Sequence, residues 1–252
     1  MAFAEAGVEA VAFADVNLDS ATAAATVSKA HAASPNYHTI ALHIDVQIED
    51  SVRACMEAVV RVFGRMDYCV NSAGIGVNEP MEISEASLVE FDRFYQINVR
   101  GVLLCTREAS RIMKAQGRKT AQGRSGPKDA GRGAIVNVGS ASSYVATPSI
   151  VQYTASKHAL LGITRNAALD NSTHGIRVNA VCPSWVQTPM MARVFEATPE
   201  FEDMINRVVP LGRIAQPEEV SDLIVFLSSP KASYITGQGY IVDGGATLAI
   251  RT

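Results

Sequence analysis

The chain lacks an apolar run long enough to cross a bilayer, which takes about 20 residues. Its amino terminus carries the acidic residues Glu5 and Glu9 and has no positively charged flank of the kind that opens a secretory signal. From these absences we expect a protein with no membrane partner and a cytoplasmic location.

Cysteine is scarce as well. The four cysteines, Cys55, Cys69, Cys105 and Cys182, are widely spaced, and their spacing fits neither a disulfide framework nor a metal site. We therefore expect reduced thiols, as in the cytosol, and no metal ion in the functional site.

Neither sign of charge is in large excess. The chain has 22 Lys and Arg against 25 Asp and Glu, which gives a net charge of −3 and a pI near 6.0. Such a chain offers no electrostatic case for binding nucleic acid or a membrane surface. Hydrophobic residues make up 48% of the 252 residues, which is enough for one domain with a large core. We expect residues 1–252 to form a single domain.

Short apolar runs alternate with amphipathic stretches, the pattern of a parallel sheet covered by helices on both faces. The sequence predicts strands at residues 10–14, 39–44, 68–71, 134–138, 177–182 and 240–242. It predicts helices at residues 20–32, 48–63, 86–115, 153–171 and 217–227. The predicted fold class is α/β, with a doubly wound, Rossmann-like parallel sheet.

Residues 116–133 break this rhythm, with five glycines, five Lys or Arg and hardly any apolar residue. The composition predicts a flexible, solvated loop between a helix and the strand at 134–138. Alternatively, its positive charge attracts an anionic substrate or partner.

The candidate chemistry lies at Tyr153 and Lys157, with Ser140 placed 13 residues before the tyrosine. Residues four apart share one face of a helix, so the hydroxyl and the ammonium can meet over one pocket. A nearby ammonium favours phenolate, which lowers the tyrosine pKa and suits it to acid/base work. Ser140 ends an apolar run that predicts a buried strand, at the sheet edge where open α/β sheets hold their ligands.

This arrangement resembles the short-chain dehydrogenase/reductase family, and the likeness extends from the first residues to Gly245. The resemblance implies that Ser140 hydrogen-bonds the substrate oxygen and that Tyr153 removes or returns its proton. Lys157 would lower the pKa of Tyr153 and hold the nicotinamide ribose. Asn98, within Asn-Val-Arg-Gly, matches the family's helix asparagine, which supports a proton relay; otherwise it is a satisfied polar residue of a helix.

The resemblance also assigns residues to the cofactor. Asn71-Ser72-Ala73-Gly74 matches the family's Asn-Asn-Ala-Gly except at Ser72. Asn71, Ala73 and Gly74 would therefore lie against a flat ligand, since small residues there let the backbone approach it closely.

Two carboxylates follow predicted strands on the adenosine side. Asp45 and Val46 match the family's adenine-contacting pair, although Asp45 also fits a helix cap. Asp15 would accept hydrogen bonds from ribose hydroxyls and repel a 2′-phosphate, which favours NAD and makes NADP the less expected cofactor. Asp15 too could instead cap a helix.

The segment after the strand at 177–182 matches the family's clamp on the nicotinamide end, which implicates Pro183, Val186 and Thr188. Ser184 replaces the usual glycine. Residues 189–209 would form a substrate lid that is apolar with scattered acids. This lid suggests a neutral, moderately hydrophobic alcohol or ketone as the substrate, and Asp243-Gly244-Gly245 matches a structural turn.

One part of the family pattern has no counterpart here. The family opens with a strand and a Thr-Gly-x-x-x-Gly-x-Gly turn, whose N–H groups cradle the pyrophosphate, whereas residues 2–7 resemble the tail of the helix after that turn. Three explanations stay open: a mis-assigned start or incomplete chain, a protein retuned for non-redox chemistry or binding, and rescue by another strand or a partner chain. The expected sheet therefore lacks its first strand.

We accordingly expect an NAD-dependent oxidoreductase that interconverts a secondary alcohol and a ketone. The alternative is a cofactor-poor member of the same fold, acting as an isomerase, dehydratase or cyclase, or as a binding protein. Family members commonly pair through the two long helices, so a homodimer or homotetramer is expected. The sequence supplies apolar residues for such a contact at Leu103, Leu104, Leu160, Leu161 and Ile163.

Overall fold

The computed structural model describes residues 1–197 and 200–248. Within them the chain forms eight strands: β1 Ala10–Asp15, β2 His38–His43, β3 Tyr68–Asn71, β4 Lys119–Gly123, β5 Gly126–Gly131, β6 Gly133–Val138, β7 Ile176–Pro183 and β8 Gly239–Val242. All six predicted strands are present, with ends that shift by no more than a residue or two.

The described residues also form nine α-helices: α1 Ala2–Glu5, α2 Leu18–Ala30, α3 Glu49–Phe63, α4 Leu88–Phe94, α5 Val102–Ala115, α6 Val151–Ser172, α7 Pro189–Ala197, α8 Glu200–Val208 and α9 Pro217–Ser228. A π-helix at Tyr95–Gly101 joins α4 to α5 without a break. The helix predicted at 86–115 is therefore three consecutive helical segments. Nowhere in the described chain is a helix both long and apolar enough to span a membrane.

A four-stranded parallel sheet, in the order β3-β6-β7-β8, forms the centre of the molecule. Its middle strands are almost wholly buried, and successive side chains point to opposite faces. Ile135 and Val178 pack with α3 and α5 on one face, whereas Val136 and Val181 pack with α9 on the other. This layering confirms the predicted α/β class and places the carboxyl ends of β6 and β7 side by side.

The strands β1 and β2 form a separate parallel pair, from Ala10 opposite His38 to Asp15 opposite His43. No residue of either strand is fully buried. Among the described residues, β1 pairs only with β2 and β3 only with β6, so each has one edge without a strand partner. The expected sheet is thus present in two parts, split where the sequence pattern has no first strand.

Helix α1 connects the two parts. Its Phe3 ring stacks on Tyr68 at the start of β3, with 6.0 Å between ring centroids, and also packs against the α9 cluster. The Phe3 carbonyl accepts a hydrogen bond from Val8 N, just before β1. This short helix therefore packs beside both parts of the sheet without hydrogen-bonding either strand edge.

Residues 116–133 are not the loop that composition predicts. Strands β4 and β5 pair antiparallel as a hairpin, with Gly123 opposite Gly126. Gly126 and Gly131 have φ values of 116° and 78°, a conformation that costs glycine little. The glycine content that suggested a flexible loop therefore serves the turn and the exit of a β-hairpin.

Most of the basic side chains of the hairpin bind groups of the same chain. Arg118 pairs with Asp129, and Lys119 pairs with Asp67. Lys128 Nζ donates to the Pro230 carbonyl at 2.8 Å. Because these groups bind acids and carbonyls of the same chain, they give little support to an anionic partner at this hairpin.

The predicted lid consists mainly of α7 and α8; residues 198–199 lie outside the described residues. Its apolar side chains join the loop after β7 and the turn after β8 in one group, here called the lid cluster: Trp185, Met191, Phe195, Phe201, Ile205, Val209, Ile214 and Ala246.

Asp243 accepts from Gly245 N, Thr247 N and the Thr247 hydroxyl. The Asp-Gly-Gly turn therefore has the structural role expected of it.

The leucines expected to supply surplus apolar surface do not all do so. Leu104, Leu160 and Leu161 are buried in the chain's own core, where they pack against the sheet. Among the residues named for the contact between the long helices, only Leu103 is exposed, at 49%. That part of the prediction was wrong, because helical periodicity alone does not say which apolar face meets the sheet.

Candidate active site

Strand β6 and helix α6 bring Ser140, Tyr153 and Lys157 together. Lys157 is buried, and its Nζ donates to the Val138 carbonyl at 3.1 Å, next to the end of β6. The same nitrogen lies 5.6 Å from the centroid of the Tyr153 ring. Phe94 packs edge-on against that ring, with centroids 6.3 Å apart. The face shared by residues four apart on α6 is therefore the face turned to the end of the sheet.

Ser140 is buried at the start of a short 3₁₀ helix, Ala141–Ser143. Its hydroxyl accepts from Ser142 N at 3.1 Å, while Ser140 N donates to the Ser143 hydroxyl at 3.2 Å. These reciprocal bonds form a capping box that fixes the serine side chain. Ser143 was not among the residues predicted from the sequence, although the Ser-x-x-Ser spacing could have indicated it.

The direction of the Tyr153 pKa differs from the expectation. Burial raises the pKa of Tyr153; the Ser140 hydroxyl opposes that rise, and the neighbouring Cys182 adds to it. Burial also lowers the pKa of Lys157 to about 8. The lowered pKa expected for Tyr153 is therefore not found: Lys157 is not among the groups that set its direction, and the low dielectric that surrounds both groups disfavours ammonium and phenolate alike.

Asn98 lies in the π-helix, a local irregularity that frequently marks functional sites. Its Oδ1 accepts from Ile75 N at 2.8 Å, and its Nδ2 donates to the Ile75 carbonyl at 3.1 Å and to the Ser156 hydroxyl at 3.1 Å. The side-chain amide therefore holds the chain just after Gly74. Ile75, a backbone partner, could not be predicted from residue type.

The segment after β3 divides into a buried anchor and an open surface. Asn71 is buried and donates to Asn137 at 2.8 Å and to Thr106 at 3.2 Å. Ala73 and Gly74 are exposed. A Cβ on Gly74 would lie 3.2 Å from Asn98 Oδ1 and 3.7 Å from Lys157 Nζ. Asn71 is thus a structural tie, and Gly74 keeps the space beside Lys157 open.

The residues expected on the adenosine side lie at strand ends. Asp15 is exposed at the end of β1 and accepts from Asn17 N at 2.8 Å, so its other oxygen has no partner within the described chain. Asp45 accepts from Gln47 N at 2.9 Å and is half-buried. Val46 packs beside the core and would touch a Cβ at Gly101 at 2.8 Å.

The residues expected on the nicotinamide side lie after β7, beside the end of β6. Pro183 ends β7, and Val186 forms a single parallel bridge with Ala215. The Thr188 hydroxyl accepts from Met191 N at 3.4 Å at the start of α7. The structure therefore brings this loop, Ser140 and α6 to one edge of the sheet.

A dinucleotide would find partners at its two ends in this arrangement, with Asp15 and Asp45 at one end and Lys157 and Thr188 at the other. The middle differs. Between the free edges of β1 and β3 the described residues provide no helix amino terminus with N–H groups for a pyrophosphate. The residues present therefore fit the two ends of the cofactor but not its phosphates. The described residues contain no group of three or more His, Cys, Asp or Glu side chains that could hold a metal ion.

Comparison with known proteins decides the family. A family model described as enoyl-(acyl carrier protein) reductase matches residues 1–247. The short-chain dehydrogenase srdC of Neurospora crassa is 51% identical over 249 residues, which cover 99% of this chain and 92% of that protein. The chain belongs to the short-chain dehydrogenase/reductase family. It is accordingly an oxidoreductase with the Rossmann-like fold of that family.

Other relatives agree with this assignment. The short-chain dehydrogenase fogB of Aspergillus ruber is 50% identical over 98% of this chain and 91% of its own length. A short-chain type dehydrogenase/reductase from Mycobacterium marinum has a TM-score of 0.83 at 28% identity, over 98% of this chain and 89% of that one. A gluconate 5-dehydrogenase from Burkholderia cenocepacia, solved with NADP and tartrate, has a TM-score of 0.83 at 26% identity, over 98% and 88% of the two chains.

Proposed function

We propose that this short-chain dehydrogenase interconverts a secondary alcohol and a ketone, with Ser140, Tyr153, Lys157 and Asn98 as its site. The observation that carries the proposal is the burial of a lysine and a serine around one half-buried tyrosine at the carboxyl edge of the sheet. Buried titratable groups are costly, so such a cluster in an enzyme is best explained by chemistry.

The chain's own groups divide the work as follows. Ser140 donates a hydrogen bond to the substrate oxygen, and Tyr153 passes its proton to that oxygen in reduction or takes it back in oxidation. Because burial raises its pKa, Tyr153 holds a proton at neutral pH and is set up as an acid. Asn98 keeps Ile75 and Gly74 in place beside Lys157.

The cofactor in this proposal is NAD. When bound, a nicotinamide dinucleotide supplies or accepts the hydride, and Lys157, Val186 and Thr188 would hold its nicotinamide end. Asp15 supports NAD over NADP, because an exposed carboxylate at the end of β1 repels a 2′-phosphate. The gluconate dehydrogenase relative is described with NADP, so this preference rests on Asp15.

A second candidate function is non-redox chemistry on the same tyrosine and serine, such as isomerisation, dehydration or cyclisation. The observation that favours it is the split between β1 and β3, which leaves no place for the cofactor's phosphates in the described residues. The two candidates differ in one measurable respect, since only the first requires NADH for turnover.

Replacing Tyr153 by Phe tests the proposal. Only the acid/base hydroxyl is removed, so the reduction of a panel of neutral ketones with NADH should slow by roughly 10²–10⁴-fold. Circular dichroism should show an unchanged fold. Tyr234→Phe, which removes a fully exposed hydroxyl, is the matched control and should keep the full rate. A Tyr153→Phe enzyme that turns over at the wild-type rate would refute the site.

We also propose that the protein self-associates through the two long helical stretches expected to form the contact, α4 with α5 and α6. Exposed apolar side chains lie beside them, with Ile83 at 74% exposure just before α4 and Leu88 at 78% and Val89 at 77% in its first turn. A groove of about 430 Å³ beside α6, lined by Met81, Ile83 and Val151 among others, adds concave apolar surface. Light scattering at micromolar concentration should give at least a dimer mass, and Val89→Glu should lower it. A monomer mass for the unsubstituted protein would contradict the proposal.

A further inference from the structure

A buried serine lies between Tyr153 and Lys157 on α6, and the proposed mechanism does not use it. This residue, Ser156, is only 3% exposed. Its hydroxyl donates to the Tyr153 carbonyl at 2.8 Å and accepts from Asn98 Nδ2 at 3.1 Å. Because a serine hydroxyl has one proton, these two bonds leave Ser156 no proton to give to another group.

The Asn98 side chain is held at three of its hydrogen-bonding positions. Its Nδ2 carries two protons, one donated to the Ile75 carbonyl and one to the Ser156 hydroxyl, while its Oδ1 accepts from Ile75 N. The opposite orientation of the amide would place Nδ2 against the Ile75 N–H, a donor against a donor. Asn98 is 1% exposed, so a partner lost from this amide is not replaced by bulk water.

This amide joins three segments that are far apart in the chain. Ile75 belongs to the loop after β3, Asn98 to the π-helix and Ser156 to α6. A Cβ on Gly74 would lie 3.2 Å from Asn98 Oδ1 and 3.7 Å from Lys157 Nζ. A shift of α6 relative to the π-helix would therefore change the space beside Lys157, where the nicotinamide end is proposed to bind.

We propose that Ser156 is a positioning residue, which by its bond to Asn98 fixes α6 relative to the loop after β3. This inference rests on the proposed function, in which Tyr153 and Lys157 of α6 carry the acid/base chemistry and hold the cofactor. Ser156 touches neither the substrate nor the reacting atoms in this account. It acts through Asn98, so its effect on the loop disappears when the Asn98 amide is already removed.

A role confined to the helix is the competing explanation, because a helical serine can bond the backbone carbonyl one turn before it. A serine of that kind affects only its own helix. The amide proton of Ile75 separates the two roles, since Asn98 Oδ1 accepts it and the Asn98 amide is what links it to Ser156. A measurement on Ile75 needs neither substrate nor cofactor, so the result does not depend on turnover.

The experiment is amide hydrogen exchange of the 252-residue protein labelled with ¹⁵N-isoleucine and followed by NMR, with Ile75→Val to assign the signal. Ser156→Ala keeps a good helix former on α6 but leaves one Asn98 proton buried without an acceptor. The Ile75 N–H should then exchange roughly fivefold to tenfold faster, as for the loss of one ordinary hydrogen bond. Ser156→Thr, which keeps the hydroxyl, should return the rate toward the wild-type value.

Ser28→Ala is the matched control. Ser28 is also buried in a helix, α2, where its hydroxyl donates to the Ala25 carbonyl at 2.7 Å and accepts from the Tyr37 hydroxyl at 3.0 Å. It makes the same pair of bonds without contacting Asn98, so its removal should leave the exchange of Ile75 unchanged. If Ser156→Ala does not fold, Ser156→Cys replaces it, because a thiol is small but a weak acceptor.

The double variant shows whether Ser156 acts through Asn98. Asn98→Ala should itself speed the exchange of Ile75, and adding Ser156→Ala should change the rate no further. An unchanged rate at Ile75 in the folded Ser156 variant, or a further acceleration in the double variant, would overturn the proposal. Turnover tests the proposed function separately, because a fully active Tyr153→Phe enzyme would refute that function without altering the exchange of Ile75.

Discussion

The two parts of the sheet differ in how completely they are built. In the catalytic part, β6 and β7 are almost wholly buried between helices, and Asn71 and Asn137 link neighbouring strands through buried side-chain hydrogen bonds. In the nucleotide part, β1 and β2 pair only with each other and none of their residues is fully buried. The proposed acid/base residues lie in the first part, and Asp15 lies in the second.

This difference teaches that the proposed site is positioned by contacts of the four-stranded sheet and α6 and not by β1 or β2. The positions of Ser140, Tyr153 and Lys157 are set by the end of β6, by α6 and by a capping box. Asp15, by contrast, is held only by its own turn. A catalytic site can thus be in place while the cofactor's central phosphates have no partners in the described residues.

The largest expected effect concerns stability, because burying the charged Lys157 should lower the free energy of unfolding. Burial lowers the pKa of Lys157 from 10.5 to about 8, which corresponds to a penalty of about 3 kcal/mol at pH 7. Lys157→Met removes the charge but leaves the Val138 carbonyl without its donor, a loss of about 1 kcal/mol. We expect Lys157→Met to raise the free energy of unfolding by about 2 kcal/mol in urea denaturation at pH 7.

The pH dependence checks the cause. Between pH 8 and 10.5 the unfolded wild-type chain binds more protons than the folded one, so its stability rises with pH. The advantage of Lys157→Met should therefore shrink across this window. Lys29→Met, on the exposed face of α2, should show neither effect. If Lys157→Met has no higher free energy of unfolding than the wild type at pH 7, or if the gain does not change with pH, then burial does not destabilise the charged form of Lys157.

Much of the catalytic half could be predicted from the sequence. The four-residue spacing of Tyr153 and Lys157 and the apolar run before Ser140 depend on short-range periodicity, which the helix and strand preserve. The sequence also predicts no strand within residues 1–9, and the structure forms none there. These features are local, and local patterns survive folding.

The remainder depends on long-range contacts that residue type does not encode. The hairpin at 119–131 was hidden by its glycines, and the clamp of Asn98 on Ile75 joins residues 23 positions apart. The direction of the Tyr153 pKa depends on how deeply the tyrosine and Lys157 are buried. Spacing places charges together, but only packing decides whether the charged forms persist.

A smaller effect is expected at Asp15, whose contribution is electrostatic and exposed. NAD should bind more tightly than NADP, and Asp15→Ala should narrow the difference by roughly fivefold to tenfold, or about 1 kcal/mol. Isothermal titration calorimetry with NADH and with NADPH measures this difference in affinity. Asp19→Ala, an exposed acid in the first turn of α2, is the control and should preserve it. A wild-type preference for NADP would show that Asp15 does not face the ribose.

The central claim is that the catalytic half is in place while the nucleotide half needs a strand and N–H groups between β1 and β3. It is tested most directly by fluorescence titration of NADH into two proteins. One is the 252-residue chain. The other is a chimera in which a strand and a Thr-Gly-x-x-x-Gly-x-Gly turn, the pattern with which the family opens, are placed before Met1, with a version whose turn glycines are replaced by valine as the control.

We expect the chimera to bind NADH at micromolar concentration and the 252-residue chain to bind it at least about 10²-fold more weakly. The reason is that two charge-assisted hydrogen bonds to phosphate, of roughly 1.5–3 kcal/mol each, find no donors between β1 and β3 among the described residues. The valine control should bind as weakly as the 252-residue chain. Micromolar NADH binding by the 252-residue chain itself would contradict the account.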